Sequence, residues 1–293
     1  MRFITYQSES GPALGQVQRT WLGVLAGERV RPLPGMDMLG LVRQGEAGLA
    51  LARDVPTTAL PLSSLSLLAP IPVPPRNIMC LGMNYAAHAA ESLMAKNLPM
   101  KMPEIPVFFT KATTAVNSPY GDIPYDPRVT TQLDWEVELA VVIGVQGVNI
   151  PRQRAFEHVF GYTVVNDISA RDLQSGHQQF FKGKSLDGAC PMGPAIVTKD
   201  EIPDPHHLAL RCWVNGELKQ ESSTSDLIFD IPAIIEWLSH GMTLLPGDII
   251  STGTPSGVGF ARTPPEFLQP GDVVECEVEG IGRLRNRVVE QVE

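Results

Sequence analysis

The chain has 293 residues, enough for one large domain or two unequal ones, and a formal net charge of −9 from 23 basic and 32 acidic residues. With no run of Lys or Arg, that balance argues against nucleic acid or an anionic membrane as partner, and any anionic substrate needs local positive charge. The four cysteines, Cys80, Cys190, Cys212 and Cys276, form no C-x-x-C pair, which excludes zinc-finger and thioredoxin-type readings and fits reduced, buried thiols. Met1 to Tyr6 lacks the apolar core of a signal peptide, and no stretch approaches the roughly 20 apolar residues of a membrane span, so the expected location is the cytoplasm.

Residues 1 to about 70 carry no chemical motif and read as short strands and turns, as in Trp21 to Leu25 followed by the turn-prone Ala26-Gly27-Glu28. The proline-rich run from Pro70 to Pro75 forbids helix and continuous sheet pairing, because proline lacks the amide donor and restricts its predecessor. It marks a boundary between a small β-rich N-terminal domain, 1–72, and a catalytic domain, 73–293.

Leu81 to Glu91 leaves an apolar strand and enters an alanine-rich helix. His88 and Glu91 stand three apart on one helical face, the spacing of a base with its orienting carboxylate, or of an ordinary surface ion pair. Pro99, Pro103 and Pro106 prevent that helix from running far, and residues 92 to 106 are expected to cover whatever lies beneath. Short apolar runs then follow at 107–109, 139–145, 160–165, 195–198, 208–214, 248–252 and 272–278, separated by Gly, Pro and Asp, which predicts a β-rich roll, barrel or sandwich rather than regular βαβ units.

The densest chemistry lies in Asp134-Trp135-Glu136-Val137-Glu138-Leu139-Ala140-Val141-Val142-Ile143. Strand side chains return to one face every second residue, so Glu136 and Glu138 point the same way, and the valines beyond them draw that face inward. Two buried carboxylates repel unless a positive charge lies between them, and a divalent cation is the most economical candidate, against the alternative of a solvated edge strand. Asp167, where the strand 160–165 runs out into a loop, adds a third oxygen donor. Its alternative is a turn or helix cap, the expected role of Asp172. An all-oxygen set favours Mg²⁺ or Mn²⁺, with Ca²⁺ also accommodated, over Zn²⁺.

Lys182 and Lys184 lie beside small residues that permit close backbone approach; a lysine facing a metal would bind a substrate carboxylate or a developing enolate, while Lys182 defaults to solvent. Ile231, Ile234, Ile235 and Leu238 give helical spacing over 230–239. Pro246-Gly247-Asp248 and Pro270-Gly271-Asp272 read as turns in which Asp satisfies turn amides, without a catalytic role. The glycine-rich loop 251–259 is suited to offering amides to an anion, or to a tight turn; it lacks the residues of a nucleotide-binding loop.

Six segments in order, "LGMNYAAHAAE", "LDWEVELAVVIG", "GYTVVNDISARDLQ", "KGKSLDGACPMGP", "GDIISTGTPSGVG" and "LQPGDVVECEVEGIGRLRN", resemble the fumarylacetoacetate hydrolase family over roughly residues 75 to 290. The resemblance implies a β-rich α+β fold of mixed roll or barrel type with short helices, and a divalent cation held by Glu136, Glu138 and Asp167. It also implies a water-activating dyad of His88 and Glu91 on a lid, Lys184 as a substrate or oxyanion contact, and Arg171, Gln174 and Thr254 as substrate-binding groups. Homodimers are common in the family. The expected activity is metal-assisted C–C hydrolysis of an acylpyruvate-like 1,3-diketo acid, a small anionic 2-oxo acid substrate. Oxaloacetate decarboxylation and isomerisation or hydration of a 2-hydroxy-dienoate use the same enolate chemistry. A metal-free glycosidase fits poorly because its two carboxylates would share one strand face. A non-enzymatic Ca²⁺-stiffened protein leaves His88 and Lys184 without a role.

Overall fold

The computed structural model describes residues 1–7, 20–55, 58–96 and 99–291. Every apolar run foreseen after residue 100 is a strand: Val107–Lys111, Val137–Ile143, Val159–Asn166, Cys190–Thr198, Ala209–Val214, Ile249–Ser251 and Val273–Val278. The main sheet runs in the order Leu60–Pro61, Arg29–Leu33, Trp21–Ala26, Arg2–Gln7, Cys190–Thr198, Val159–Asn166, Val137–Ile143, Ile249–Ser251, Ile78–Gly82, Val107–Lys111. Among the described residues its two ends do not meet, so this sheet is open rather than closed into a barrel. A second sheet of five strands, Glu217–Ser223, Ala209–Val214, Val273–Val278, Gly282–Glu290 and Ile123–Tyr125, stacks beside it.

The strand Val137–Ile143 is central to both layers and every one of its residues is buried. Leu139, Val141 and Ile143 join a cluster with Leu210, Val274 and Leu284 of the second sheet, while Ala140 and Val142 join Phe3, Leu41, Ile78 and Cys80 on the other face. Alternation therefore continues Glu138 into an apolar interior, as its valine neighbours demand.

The N-terminal segment departs from the expectation of strands and turns. Two helices, Met38–Gln44 and Glu46–Arg53, follow the first hairpin. Met38, Leu41 and Val42 are buried at helical spacing, Asp37 caps the first helix by accepting from the Gly40 amide at 2.6 Å, and Gly45, at φ 52°, ends one helix and opens the next. The strand Arg2–Gln7 pairs antiparallel with Cys190–Thr198, so the sheet runs across residue 72. The proline-rich link itself has neither helix nor strand. The helices foreseen near His88 and over 230–239 are Ala86–Ala95 and Ile231–Ser239, the second capped by Asp230 accepting from the Ala233 amide at 2.9 Å. Asn97 and Leu98, inside the segment expected to act as a cover, lie outside the described residues. No helix among the described residues is long and apolar enough to cross a membrane.

Candidate active site

Strand pairing brings the three acidic residues together. Glu138 faces Val165 and Val137 faces Asn166 in the antiparallel ladder, and the Asp167 amide donates to the Glu136 carbonyl at 2.9 Å, so Glu136 and Asp167 emerge at the same end of adjacent strands. One carboxylate oxygen from each of Glu136, Glu138 and Asp167 lies within 4.8 Å of the others, and all three side chains are buried. Hard oxygen donors at this spacing can hold a divalent cation, with Mg²⁺, Mn²⁺ or Ca²⁺ matching the donor chemistry.

A cation is not the sole source of positive charge, which corrects the reasoning from repulsion. Lys184 Nζ donates to Glu136 Oε2 at 2.7 Å and Asp167 Oδ2 at 2.8 Å. Lys111 Nζ donates to Asp167 Oδ1 at 2.6 Å and to the Ile168 carbonyl at 3.0 Å. Arg171 lies with Nη2 2.7 Å from Glu136 Oε1, while its Nε donates to Asp134 Oδ2 at 2.8 Å. Burial opposes ionisation of Glu136, but Lys184 and Arg171 hold its carboxyl well below the usual range. Burial, reinforced by Asp167 and Glu136, instead pushes Glu138 well above it.

Lys111 and Asp134 were not singled out from sequence. Asp134 had a signal, the same two-residue alternation as Glu136 and Glu138. Lys111 had none beyond a charged residue ending an aromatic strand.

His88 Nδ1 lies 2.9 Å from Glu91 Oε1, and the Gly257 amide donates to both Glu91 oxygens at 3.1 and 3.0 Å. A carboxylate only accepts, so Nδ1 carries the proton and Nε2 is left as the basic nitrogen, 3.5 Å from Ser92 Oγ. His88 is buried rather than a surface pair partner. Asn84 fixes the start of this helix. Its amide nitrogen donates to the Thr252 carbonyl at 2.8 Å and its oxygen accepts from the Phe229 amide at 2.8 Å.

The glycine-rich loop does cradle anions, but they are the protein's own carboxylates. Ser251 Oγ and the Gly253 amide donate to Glu138 Oε2 at 2.5 and 3.0 Å, Gly257 serves Glu91, and the Gly259 and Phe260 amides donate to Asp134 at 2.7 and 3.0 Å. Gly253, at φ +101°, leaves room for Asn84, whose Cβ would lie 2.9 Å from an added methyl.

Arg171, Gln174 and Thr254 all line the pocket that opens above Glu136, Lys184 and His88, a space of about 450 Å³ that includes its mouth to solvent. Arg171 Nη1 donates to Gln174 Oε1 at 3.1 Å. The Thr254 hydroxyl donates to the Val137 carbonyl and accepts from Gln220 Nε2, so it is already bonded to the scaffold. Lys182 is exposed. Asp172 accepts from the Thr130 hydroxyl and the Leu173 amide, Asp248 pairs with Arg76 and accepts from the Leu245 amide, and Asp272 accepts from the Gln269 amide, each a structural role.

The family model for the fumarylacetoacetate (FAA) hydrolase C-terminal region matches residues 77–289, which spans every residue lining the pocket. The chain belongs to the fumarylacetoacetate hydrolase family. It is 53% identical over 228 residues to oxaloacetate tautomerase YisK of Bacillus subtilis (strain 168), covering 78% of this chain and 74% of that one. It is 44% identical over 296 residues to the mitochondrial oxaloacetate tautomerase FAHD2B of Bos taurus, covering 99% and 92%. Among solved structures, the fumarylacetoacetate hydrolase EaFAH from Exiguobacterium antarcticum superimposes with a TM-score of 0.85 at 38% identity, over 99% of this chain and 100% of that one. These relatives carry the names of enzymes, and the fold is that of the family.

Proposed function

We propose that this family member catalyses keto–enol interconversion of a short 2-oxo acid of the oxaloacetate type. The observation that carries the proposal is His88, fixed through Nδ1 to Glu91, in the same pocket as Glu136, whose carboxylate clusters with those of Glu138 and Asp167. The tautomerase names of the relatives at 53% and 44% identity support this reading over C–C hydrolysis.

Glu136, Glu138 and Asp167 would hold the divalent cation, Mg²⁺ or Mn²⁺, whose chemistry when bound is Lewis-acid stabilisation of enolate charge. His88 Nε2 takes a proton from C3 of the keto acid, the electron pair moves to the carbonyl oxygen, and that oxygen takes a proton from solvent water while the imidazolium releases its own to solvent, which completes the enol and resets the base. Ketonisation returns a proton from His88 to C3. Glu91, fixed by the Gly257 amide, balances the imidazolium while it exists. Lys184 has three N–H donors and uses two on Glu136 and Asp167, leaving one for the developing oxyanion.

Hydrolysis of an acylpyruvate-like diketo acid is the second reading, favoured by the same dyad acting on water and by the hydrolase name of the solved relative. Assembly as a homodimer and residence in the cytoplasm belong to the proposal, with sedimentation velocity and cell fractionation as their tests.

Purified protein with Mg²⁺ or Mn²⁺ is to be mixed with the enol form of oxaloacetate, whose ultraviolet absorbance falls on ketonisation, with EDTA as control. Acetylpyruvate and fumarylpyruvate run in parallel, with pyruvate and the carboxylic acid measured. Accelerated ketonisation abolished by EDTA is the expected result. Cleavage of a diketo acid without any effect on oxaloacetate enol would establish the hydrolase instead.

A further inference from the structure

The helix Ala86–Ala95 and its C-terminal cap place His88, Ser92 and Lys96 at steps of four, one row along a single helical face, and all three line the pocket. Lys96 thus lies about two turns, or roughly 12 Å along the axis, beyond His88. Its side chain lines the pocket with theirs.

The other cations around this pocket already have carboxylate partners. Lys184 pairs with Glu136 and Asp167, and Arg171 with Asp134 and Glu136. Lys96 differs. No carboxylate among the described residues pairs with it, and its Nζ lies 5.7 Å from the centre of the Phe260 ring, the same ring that has the Arg171 guanidinium carbon at 4.5 Å. Burial and then Arg171 lower the Lys96 pKa, with Glu136 pulling the other way and Lys184 adding to the lowering. Lys96 itself is exposed at the rim, with Arg171 and Lys184 as the neighbouring cations. Leu81, Phe109, Phe180 and Phe260 supply apolar lining, and of the polar lining groups Gln174 Oε1 already accepts from Arg171 and the Thr254 hydroxyl is bonded to the scaffold.

We infer that Lys96 is the specificity residue for a second carboxylate on the substrate, so that the site selects 2-oxo diacids over 2-oxo monoacids. The inference rests on the 2-oxo acid reading above and adds the group that reads the far end. The near end of the substrate, carboxylate and carbonyl, meets the deep floor formed by Glu136, Lys184 and Arg171. The distal carboxylate meets the Lys96 ammonium at the exposed rim beside Phe260, where it accepts a charge-assisted hydrogen bond.

The test compares wild type with Lys96→Met, which keeps the stem and removes the charge, and with Lys96→Arg, which restores it. Exchange of C3 protons for deuterium is followed by NMR for oxaloacetate and for 2-oxobutyrate, which lacks the second carboxylate. The ratio of kcat/KM, diacid over monoacid, should fall about 10-fold or more in Lys96→Met, mainly through KM, and recover in Lys96→Arg. Equal losses on both substrates would put Lys96 on their shared end and overturn the inference, as would an unchanged ratio.

A second readout does not depend on turnover: calorimetric affinity for malate against lactate, two unreactive acids that differ in the distal carboxylate. Wild type should prefer malate, and Lys96→Met should lose that preference. Wild type without preference overturns the inference even if oxaloacetate is turned over. Absence of exchange on oxaloacetate together with a Lys96-dependent preference for malate would remove the tautomerase reading and leave the inference standing.

Discussion

At the scale of single residues, a packed lattice of charge reaches the pocket through Glu136, Lys184 and Arg171: four carboxylates, Asp134, Glu136, Glu138 and Asp167, meet three cations, Lys111, Lys184 and Arg171. Removing one member of such a lattice leaves its partner buried and uncompensated, which costs more than the pair contributes. Lys111, fully buried against Asp167, is the clearest case. Lys111→Met should destabilise the fold by about 3–5 kcal/mol, read as a lower midpoint in urea with the slope unchanged. His88→Ala, by contrast, should lower turnover by about 10²–10⁴-fold while leaving Mn²⁺ affinity intact, because His88 pairs with Glu91 and not with the carboxylate set. If that variant turned over oxaloacetate enol at the wild-type rate, His88 would not be the base. For the cation, Glu138→Gln keeps the acceptor for Ser251 and Gly253 but removes the charge, and Mn²⁺ binding by calorimetry should weaken about 10-fold or more.

At the scale of elements, the loop 251–259 holds the site together by donating amides and a hydroxyl to carboxylates on three different elements: Glu138 in its strand, Glu91 on the helix Ala86–Ala95, and Asp134 in the strand Leu133–Asp134. Its glycines are required where the chain comes closest. Gly257 has φ +100°, and a Cβ there would lie 2.1 Å from the Lys219 carbonyl oxygen. Gly257→Ala must therefore shift the amide that grips Glu91. The expected outcome is a fall in kcat larger than any change in Mn²⁺ affinity, because Glu91 orients the base while Glu138 is served by Gly253. Equal effects on both quantities would show that the loop moves as one body.

At the scale of the whole molecule, the N-terminal segment is woven into the sheet that carries the acidic strands. Phe3, Leu22, Leu41 and Val42 share one apolar cluster with Ile78, Cys80, Ala140 and Val142. The face of Val137–Ile143 that continues from Glu138 is thus covered by residues from before the proline-rich link. Deleting residues 1–72 would expose that face and leave Cys190–Thr198 without one of its partners. The truncated chain is expected to lose its cooperative thermal transition. A sharp calorimetric melt close to that of the full chain would establish 73–293 as an independently folding domain.

What the sequence by itself determined was set by local rules. Two-residue alternation aims Glu136 and Glu138 inward together, three-residue spacing on a helix joins His88 to Glu91, the spacing of Ile231, Ile234, Ile235 and Leu238 makes a helix, and Pro-Gly-Asp makes its turns, each within a few residues of chain. Tertiary structure alone decided the pairings made across long separations. Lys111 reaches Asp167 over 56 residues and Ser251 reaches Glu138 over 113, contacts that depend on the register of several strands at once. The helices at 38–53 were obscured because Gly40, Gly45 and Gly48 interrupt a short apolar pattern. Lys96 belongs to both kinds: its helical row with His88 is written in the sequence, but that no carboxylate among the described residues pairs with it emerges only once Arg171 and Lys184 are seen to have theirs. A period is a property of one element, whereas the neighbours of a charge are a property of the packed whole.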